Sequence, residues 1–322
     1  MGKIVIVVSA IIIIVSGFFL FKDEISLNFS QSKVFGENTS ASLAPTAPND
    51  WFPKLNDKSS AKGASDLNIY AKSAFLVNYD TGEVIFAKDA KAKLPAGSTI
   101  KIMTGILALE RAKVSDVFAV SVKAASIGED SMNLSEGEQL SVNDLLYGLM
   151  LVSGNDAAIT LAEGIAGSED NFVAMMNARA KSLGASDTLF VNASGLDVDG
   201  TIQYTTVYDL ATMAHYAWQN YPEFVKIVST EHKVIEANDR HKAFDLYNDT
   251  NLLTSYPGVR GIKPGFTWNA GLCLVTYAEN SNVRLLGVIL GSDDRRGEMK
   301  ELLDYGFAKY GIKVGHPVLD LQ

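Results

Sequence analysis

Strand signals in this chain stand at the two ends of one folded stretch, with little but helical periodicity between them. Ser73–Asn78 and residues 83–88 are apolar runs on either side of Asp80-Thr81-Gly82, a hairpin signal. Residues 260–263, 272–277 and 284–290 repeat the strand pattern late in the chain, the last two joined by a turn at Asn280-Ser281-Asn282. An isolated strand pair is not stable in water, so the early hairpin must join the late strands in one antiparallel sheet. Between them, Ile102, Met103, Ile106, Leu107 and Leu109 recur at helical spacing up to Ala112. Further helical patterns cover residues 142–152, opened by Ser141 with Asp144 three positions on, and residues 157–165. Others run over 171–183, stopped by Gly184, over 208–218, opened by Thr206 and Asp209, and over 296–310. The expected class is α+β: an antiparallel sheet flanked by helices plus a helical lobe, the first and last helices covering the sheet. A cleft between sheet and helical lobe is the natural place for a site.

Composition agrees with a folded chain. Of 322 residues 47% are hydrophobic and 20% charged, which excludes a disordered or collagen-like polymer. Residues 4–21 carry no charge, and at about 1.5 Å per residue they span roughly 27 Å, close to the ~30 Å of a bilayer core. The run exceeds the apolar part of a cleaved signal and passes directly into Lys22-Asp23-Glu24, so residues 1–22 are read as a retained transmembrane anchor. Lys3 and the amino terminus are the only cations on the short side, which puts the remainder of the chain on the extracytoplasmic face. Residues 23–66 read as a flexible linker: positions 28–65 are rich in Ser, Thr, Asn and Ala, hold three of the eight prolines, and lack any sustained apolar period. Residues 67–322 are read as the folded domain, the part that would carry any site.

Without the first 21 residues the chain keeps 27 basic against 37 acidic side chains, a net of −10. That acidity speaks against nucleic acid as a partner. A single cysteine, Cys273, excludes an internal disulfide, and its apolar neighbours Leu272, Leu274 and Val275 make it a small buried hydrophobe. Histidines 215, 232, 241 and 316 follow no zinc-ligand spacing, and no cofactor is expected.

Three short polar patterns carry the chemistry. Ser-x-x-Lys occurs at Ser30, Ser59 and Ser98, but only Ser98 and Lys101 open an amphipathic helix. There a serine and a lysine three positions apart share a helical face, so a neutral amine can take the hydroxyl's proton. The plainer reading of the same pair is a serine cap followed by a solvated lysine. Ser153-Gly154-Asn155 interrupts two apolar helices, where an unpartnered polar loop is costly to bury. Lys263-Pro264-Gly265 sits at the end of a strand signal, in a glycine-rich stretch from Gly261 to Gly271.

In order and context these segments resemble the low-molecular-mass penicillin-binding D-alanyl-D-alanine carboxypeptidases, relatives of the serine β-lactamases. Pro95 to Thr104 is similar to the nucleophile motif, Val152 to Ala158 to the second motif, and Gly261 to Thr267 followed by Ala270-Gly271-Leu272-Cys273 to the third. Asn192 with Gly195-Leu196-Asp197, Asn251-Leu252-Leu253, and Leu302 to Phe307 match as well, so the likeness covers roughly residues 67–310.

The resemblance implies a substrate, a peptidoglycan stem peptide ending in D-Ala-D-Ala, with β-lactams as covalent inhibitors. It also implies roles: Ser98 as nucleophile, Lys101 as general base, Ser153 as proton relay, and Asn155 as a hydrogen-bonding partner of Lys101 and substrate. Lys263, Gly265, Phe266 and Thr267 would line the substrate, the N–H groups of Ser98 and Phe266 forming the oxyanion hole. Two positions depart from the family pattern. Pro264 stands where threonine is usual, which removes a hydroxyl, and Thr267 is the candidate replacement. Ser194 stands where histidine is frequent. A catalytically weakened binder of cell-wall peptides, and a β-lactamase, endopeptidase or transpeptidase on the same fold, remain alternatives.

Overall fold

The structure, a computed structural model, describes residues 50–55, 67–198, 200–201, 203–250 and 252–316. The anchor assigned to residues 1–22, most of the linker, and Asn251 lie outside the described residues. Among the described residues no helix is long and apolar enough to cross a membrane.

Strand β1 (Ser73–Asn78) turns at Asp80-Thr81-Gly82 into β2 (Val84–Lys88). A short 3₁₀ turn, Gly97–Ile100, leads directly into helix α1 (Lys101–Arg111). A small ribbon of β3 (Val117–Ala119) and β4 (Gln139–Ser141) frames helix α2 (Val122–Ser126). Helices α3 (Val142–Leu151), α4 (Asn155–Ala166) and α5 (Glu169–Ser182) follow. Next come α6 (Val207–Asn220) and α7 (Pro222–Val228). A second ribbon, β5 (His232–Ile235) with β6 (Phe244–Tyr247), precedes the short α8 (Leu252–Ser255). The chain then returns to the sheet through β7 (Val259–Thr267), β8 (Gly271–Asn280) and β9 (Val283–Ser292), and closes with α9 (Arg295–Ala308).

The five main strands form one antiparallel sheet in the order β2-β1-β9-β8-β7, so the early hairpin joins the late strands by pairing β1 with β9. Strand β7 is an edge, which accommodates Pro264 because an edge strand needs no second set of N–H donors. The start signals act as expected: Ser141 and Thr206 accept N–H bonds from Asp144 and Asp209 at 3.1 and 3.0 Å.

Two differences from the sequence expectation bear on the site. The sheet is covered on one face by α9, through Met299, Leu302, Leu303 and Phe307 packed on Leu76, Leu285 and Ile289. The other face is covered by α6 and not by α1, which is the central helix of the helical lobe. Its first eight residues, Lys101 to Ala108, are all buried, and a helix enclosed on every side belongs inside a lobe. The second difference lies in the linker. Residues 50–55 are seated on the folded domain: Trp51 stacks on His215 with ring centroids 3.8 Å apart, Lys54 N donates to Gly82 O at 2.8 Å, and Tyr208 donates to Pro53 O at 3.2 Å. Trp51 and Phe52 supply apolar surface that the average composition of the segment conceals.

Candidate active site

The 3₁₀ turn places Ser98 and Lys101 at the mouth of α1, and Ser98 does not cap the helix with its side chain. The hydroxyl faces the lysine instead. Lys101 Nζ lies 2.8 Å from Ser98 Oγ, 2.8 Å from Asn155 Oδ1 and 2.6 Å from the carbonyl oxygen of Ser194. Two of those partners are acceptors only, so two N–H bonds of the amine point at Asn155 and Ser194. In a neutral amine the remaining position is a lone pair, directed at the Ser98 hydroxyl. Burial holds the Lys101 pKa well below that of a free lysine, and the positive charge of Lys263 lowers it further. Asp130, Asp249 and Asp156 oppose the shift.

Asn155 opens α4, directly after the break at Ser153 and Gly154. Its Nδ2 donates to Gly128 O at 3.0 Å and its backbone N–H to Asp130 O at 2.9 Å, which ties the break to the loop before it. Asp156 completes that tie, accepting from Ser131 Oγ at 2.6 Å and from the N–H groups of Met132 and Leu134 at 3.0 and 2.8 Å. Ser153 has φ 59°, a left-handed conformation that costs an L-residue of order 1 kcal/mol or more. Its Oγ is buried and accepts or donates no hydrogen bond among the described residues. A strained backbone holding a buried hydroxyl without a partner is an uncommon arrangement in a folded protein.

Lys263 reaches the same place from β7. Its ammonium is fully buried, and the nearest carboxylate, Asp249, stands 3.5 Å away, an ion pair too long to satisfy it as a hydrogen bond. Burial lowers its pKa, against the opposing pull of Asp249 and Asp130. Gly265 lets β7 lie against the Gly97–Ile100 turn: a Cβ added there would meet Ala96 O at 2.8 Å, Thr99 N at 2.9 Å and Ser98 N at 3.0 Å. Gly97, at φ 51°, is the reciprocal contact, with Phe266 N at 3.0 Å from its would-be Cβ. The N–H groups of Ser98 and Phe266 are thereby brought to one cleft. Ser98, as an early residue of its turn, has no intrahelical acceptor for its N–H.

Of the sequence-derived candidates, the structure brings together Ser98, Lys101, Ser153, Asn155, Lys263, Gly265 and the Phe266 backbone. Thr267 is different. Its hydroxyl donates to Asp197 Oδ1 at 3.0 Å and accepts from Ala270 N at 3.1 Å, so it does not replace the hydroxyl missing at Pro264. Period-2 alternation turns its side chain away from the face that Pro264 and Phe266 share. Three contributors were not visible in the sequence. The Ser194 carbonyl acts through its backbone, Asp249 approaches from a loop far from the lysine it faces, and Arg295 holds β7 by donating to Gly265 O at 2.8 Å. Cys273 is buried, its thiol pushed up to about 11 by burial, in keeping with a packing role. Among the described residues no group of three or more His, Cys, Asp or Glu side chains is placed to hold a metal ion.

Comparison with known proteins supplies the family. Residues 60–294 match the family model described as D-alanyl-D-alanine carboxypeptidase. The chain is 37% identical over 266 residues to D-alanyl-D-alanine carboxypeptidase DacF of Bacillus subtilis, covering 80% of this chain and 67% of that protein. It is 33% identical to DacC of Escherichia coli, covering 74% of this chain and 62% of the relative. It thus spans about two thirds of the length of these curated relatives. A mutant DD-transpeptidase of Streptomyces superposes with a TM-score of 0.70 at 28% identity, covering 75% of this chain and 99% of that structure. With the Ser98 turn, the interrupted helix pair and the edge-strand lysine converging on one cleft, and with that match over most of its length, the chain belongs to the D-alanyl-D-alanine carboxypeptidase family.

Proposed function

We propose that this chain is a serine-type D-Ala-D-Ala carboxypeptidase that shortens peptidoglycan stem peptides through an acyl-enzyme on Ser98. The observation that carries the reading is the Lys101 amine, buried and held by Asn155 and the Ser194 carbonyl with its third position on Ser98 Oγ. Lys101 takes the hydroxyl proton as Oγ attacks the carbonyl of the penultimate D-Ala. The oxyanion that forms is received by the N–H groups of Ser98 and Phe266. Lys263 attracts the terminal carboxylate. As the C–N bond breaks, Ser153 gives its proton to the departing D-Ala nitrogen and takes in exchange the one Lys101 holds, so that Lys101 is neutral again and the acyl group remains on Ser98 as an ester. Water then attacks the ester, its proton returns by way of Lys101 to Ser98 Oγ, and the shortened peptide leaves.

The uncharged run at residues 4–21 is the anchor in this reading, with the domain on the extracytoplasmic side, where peptidoglycan lies. Its support is the uncharged run and the single Lys3 before it. A second reading, a weakened binder of cell-wall peptides, is favoured by Pro264 together with the commitment of the Thr267 hydroxyl to Asp197. The missing hydrogen bond to a carboxylate would cost about 1.5–3 kcal/mol.

The test uses the soluble chain from Asp50 onward, incubated with penicillin and digested for mass spectrometry. The penicilloyl adduct is expected on Ser98 and absent in Ser98→Ala. An adduct on Ser98→Ala, or none on the native chain, overturns the assignment. Release of D-Ala from a synthetic pentapeptide separates the carboxypeptidase from the weakened binder.

A further inference from the structure

Lys263 and its nearest carboxylate differ in their surroundings. The Lys263 side chain is 0% exposed, that of Asp249 across a 3.5 Å gap is 40% exposed, and the ammonium has no hydrogen-bond acceptor among the described residues. Asp249 therefore offsets the charge of the lysine without filling its donors. The loop that carries it is tied down on both sides. Asp249 N donates to Leu151 O at 3.0 Å, just before the break at Ser153, and Asn248 Nδ2 donates to the carbonyls of Val228 and Thr230 at 3.2 and 2.9 Å. The separation from Lys263 is thus built into the fold. Its influence extends beyond that lysine. Burial lowers the pKa of both Lys263 and Arg295, and in each case Asp249 is the strongest charge opposing the shift. Asp130 adds a second negative charge acting on the same two cations.

Strong selection of a C-terminal carboxylate needs uncompensated positive charge or well-placed donors. Here Asp249 offsets the charge at Lys263 and Arg295, Pro264 has no hydroxyl, and that of Thr267 is given to Asp197. An arriving carboxylate meets a second anion beside Lys263, whereas a leaving residue without a carboxylate meets none of that repulsion. We infer that Asp249 is a specificity-determining residue: it takes up the charge of Lys263, so that the D-Ala-D-Ala bond is cleaved nearly as well when the second residue ends in a neutral amide as when it ends in a free carboxylate. The same site then serves bonds inside a peptide as well as at its end. The inference rests on the carboxypeptidase reading, which places the terminal residue at Lys263.

The test compares acetyl-Ala-D-Ala-D-Ala with its C-terminal amide, following release of D-Ala or of D-alaninamide by the native chain, by Asp249→Asn and by Asp249→Glu. The native chain should prefer the free acid by less than about tenfold in kcat/KM, and Asp249→Asn should raise that preference about tenfold, the factor that one hydrogen bond to a charged group supplies. Asp249→Glu, which keeps the charge, should stay near the native ratio. The ratio is the readout because a merely structural role changes both substrates alike. A native preference above that limit, an Asp249→Asn ratio no higher than the native one, or an Asp249→Glu ratio equal to that of Asp249→Asn overturns the assignment. Penicillin acylation of Ser98 in the native chain keeps the two readings apart. Acylation with an unmoved ratio removes the role of Asp249 alone, whereas absence of acylation removes the carboxypeptidase reading and this role with it.

Discussion

In the proposed mechanism the contact between Gly265 and the Gly97–Ile100 turn sets the width of the oxyanion site, and Gly265→Ala measures how closely. The added Cβ would meet Ala96 O at 2.8 Å, whereas ordinary contact begins at 3.4 Å, so β7 must withdraw by about 0.6 Å. The turn cannot yield in its place, because all three atoms met are backbone and Ile100, Ile102 and Met103 fix the turn in the core. Phe266, the next residue, moves with the strand. Its N–H then lies beyond the 2.7–3.1 Å over which a donor stabilises an oxyanion, and loss of one such donor lowers the acylation rate about 10²–10³-fold. The strain also costs stability, about 1–3 kcal/mol as for other overpacked sites. Stopped-flow acylation by a fluorescent penicillin reads the first effect, and urea denaturation the second. A folded Gly265→Ala protein that acylates within about threefold of the native rate would refute the argument that this backbone contact sets the oxyanion geometry.

Lys263→Gln removes a positive charge that holds the Lys101 pKa down; that pKa rises, and the acid limb of the acylation rate against pH moves to higher pH. An unmoved limb would show that burial alone governs Lys101. Burial lowers His215 to about 4, so between that value and the ordinary 6.5 the unfolded chain binds a proton that the folded chain refuses. Stability therefore falls as pH drops through this window, by about 3 kcal/mol in full, and denaturation of His215→Phe against pH should lack that component. Glu110 forms an ion pair with Arg179 at 2.7 Å and accepts from Tyr216 and Tyr221 at 3.1 and 3.0 Å. Glu110→Ala leaves the guanidinium buried without its counter-charge and should cost about 3–5 kcal/mol by urea midpoint, a loss that a merely superficial pair would not produce.

Much of this was legible because the signals were local and periodic. The strands of the main sheet, the caps at Ser141 and Thr206, and the helix following Ser98 carry patterns that a short window reveals. The small ribbon Gln139–Ser141 with Val117–Ala119 lacks such a signal, being three residues on each side, and the sequence reading contains no counterpart to it. The central position of Lys101–Arg111 was misjudged for another reason: apolar spacing shows that a helix has a buried face, and not how many neighbours enclose it. In the site, the side chains were found through their motifs, whereas the groups that position them act through backbone atoms or long separations. The Ser194 carbonyl leaves no trace in residue type, and Arg295 meets Gly265 only because the start of α9, following β9, lies beside β7 before the helix crosses the sheet face.

The stacking of Trp51 on His215 places the practical start of the domain upstream of Leu67. A truncation at Leu67, the point where the regular sequence pattern begins, would strip the Trp51 indole from His215, which also packs on Tyr79 at 4.3 Å between ring centroids. The exposed rings would form an apolar face of the kind that drives self-association. Poor solubility of such a fragment would then report the missing strap and not a defect of the enzyme, and Asp50 is the boundary at which a soluble form should begin.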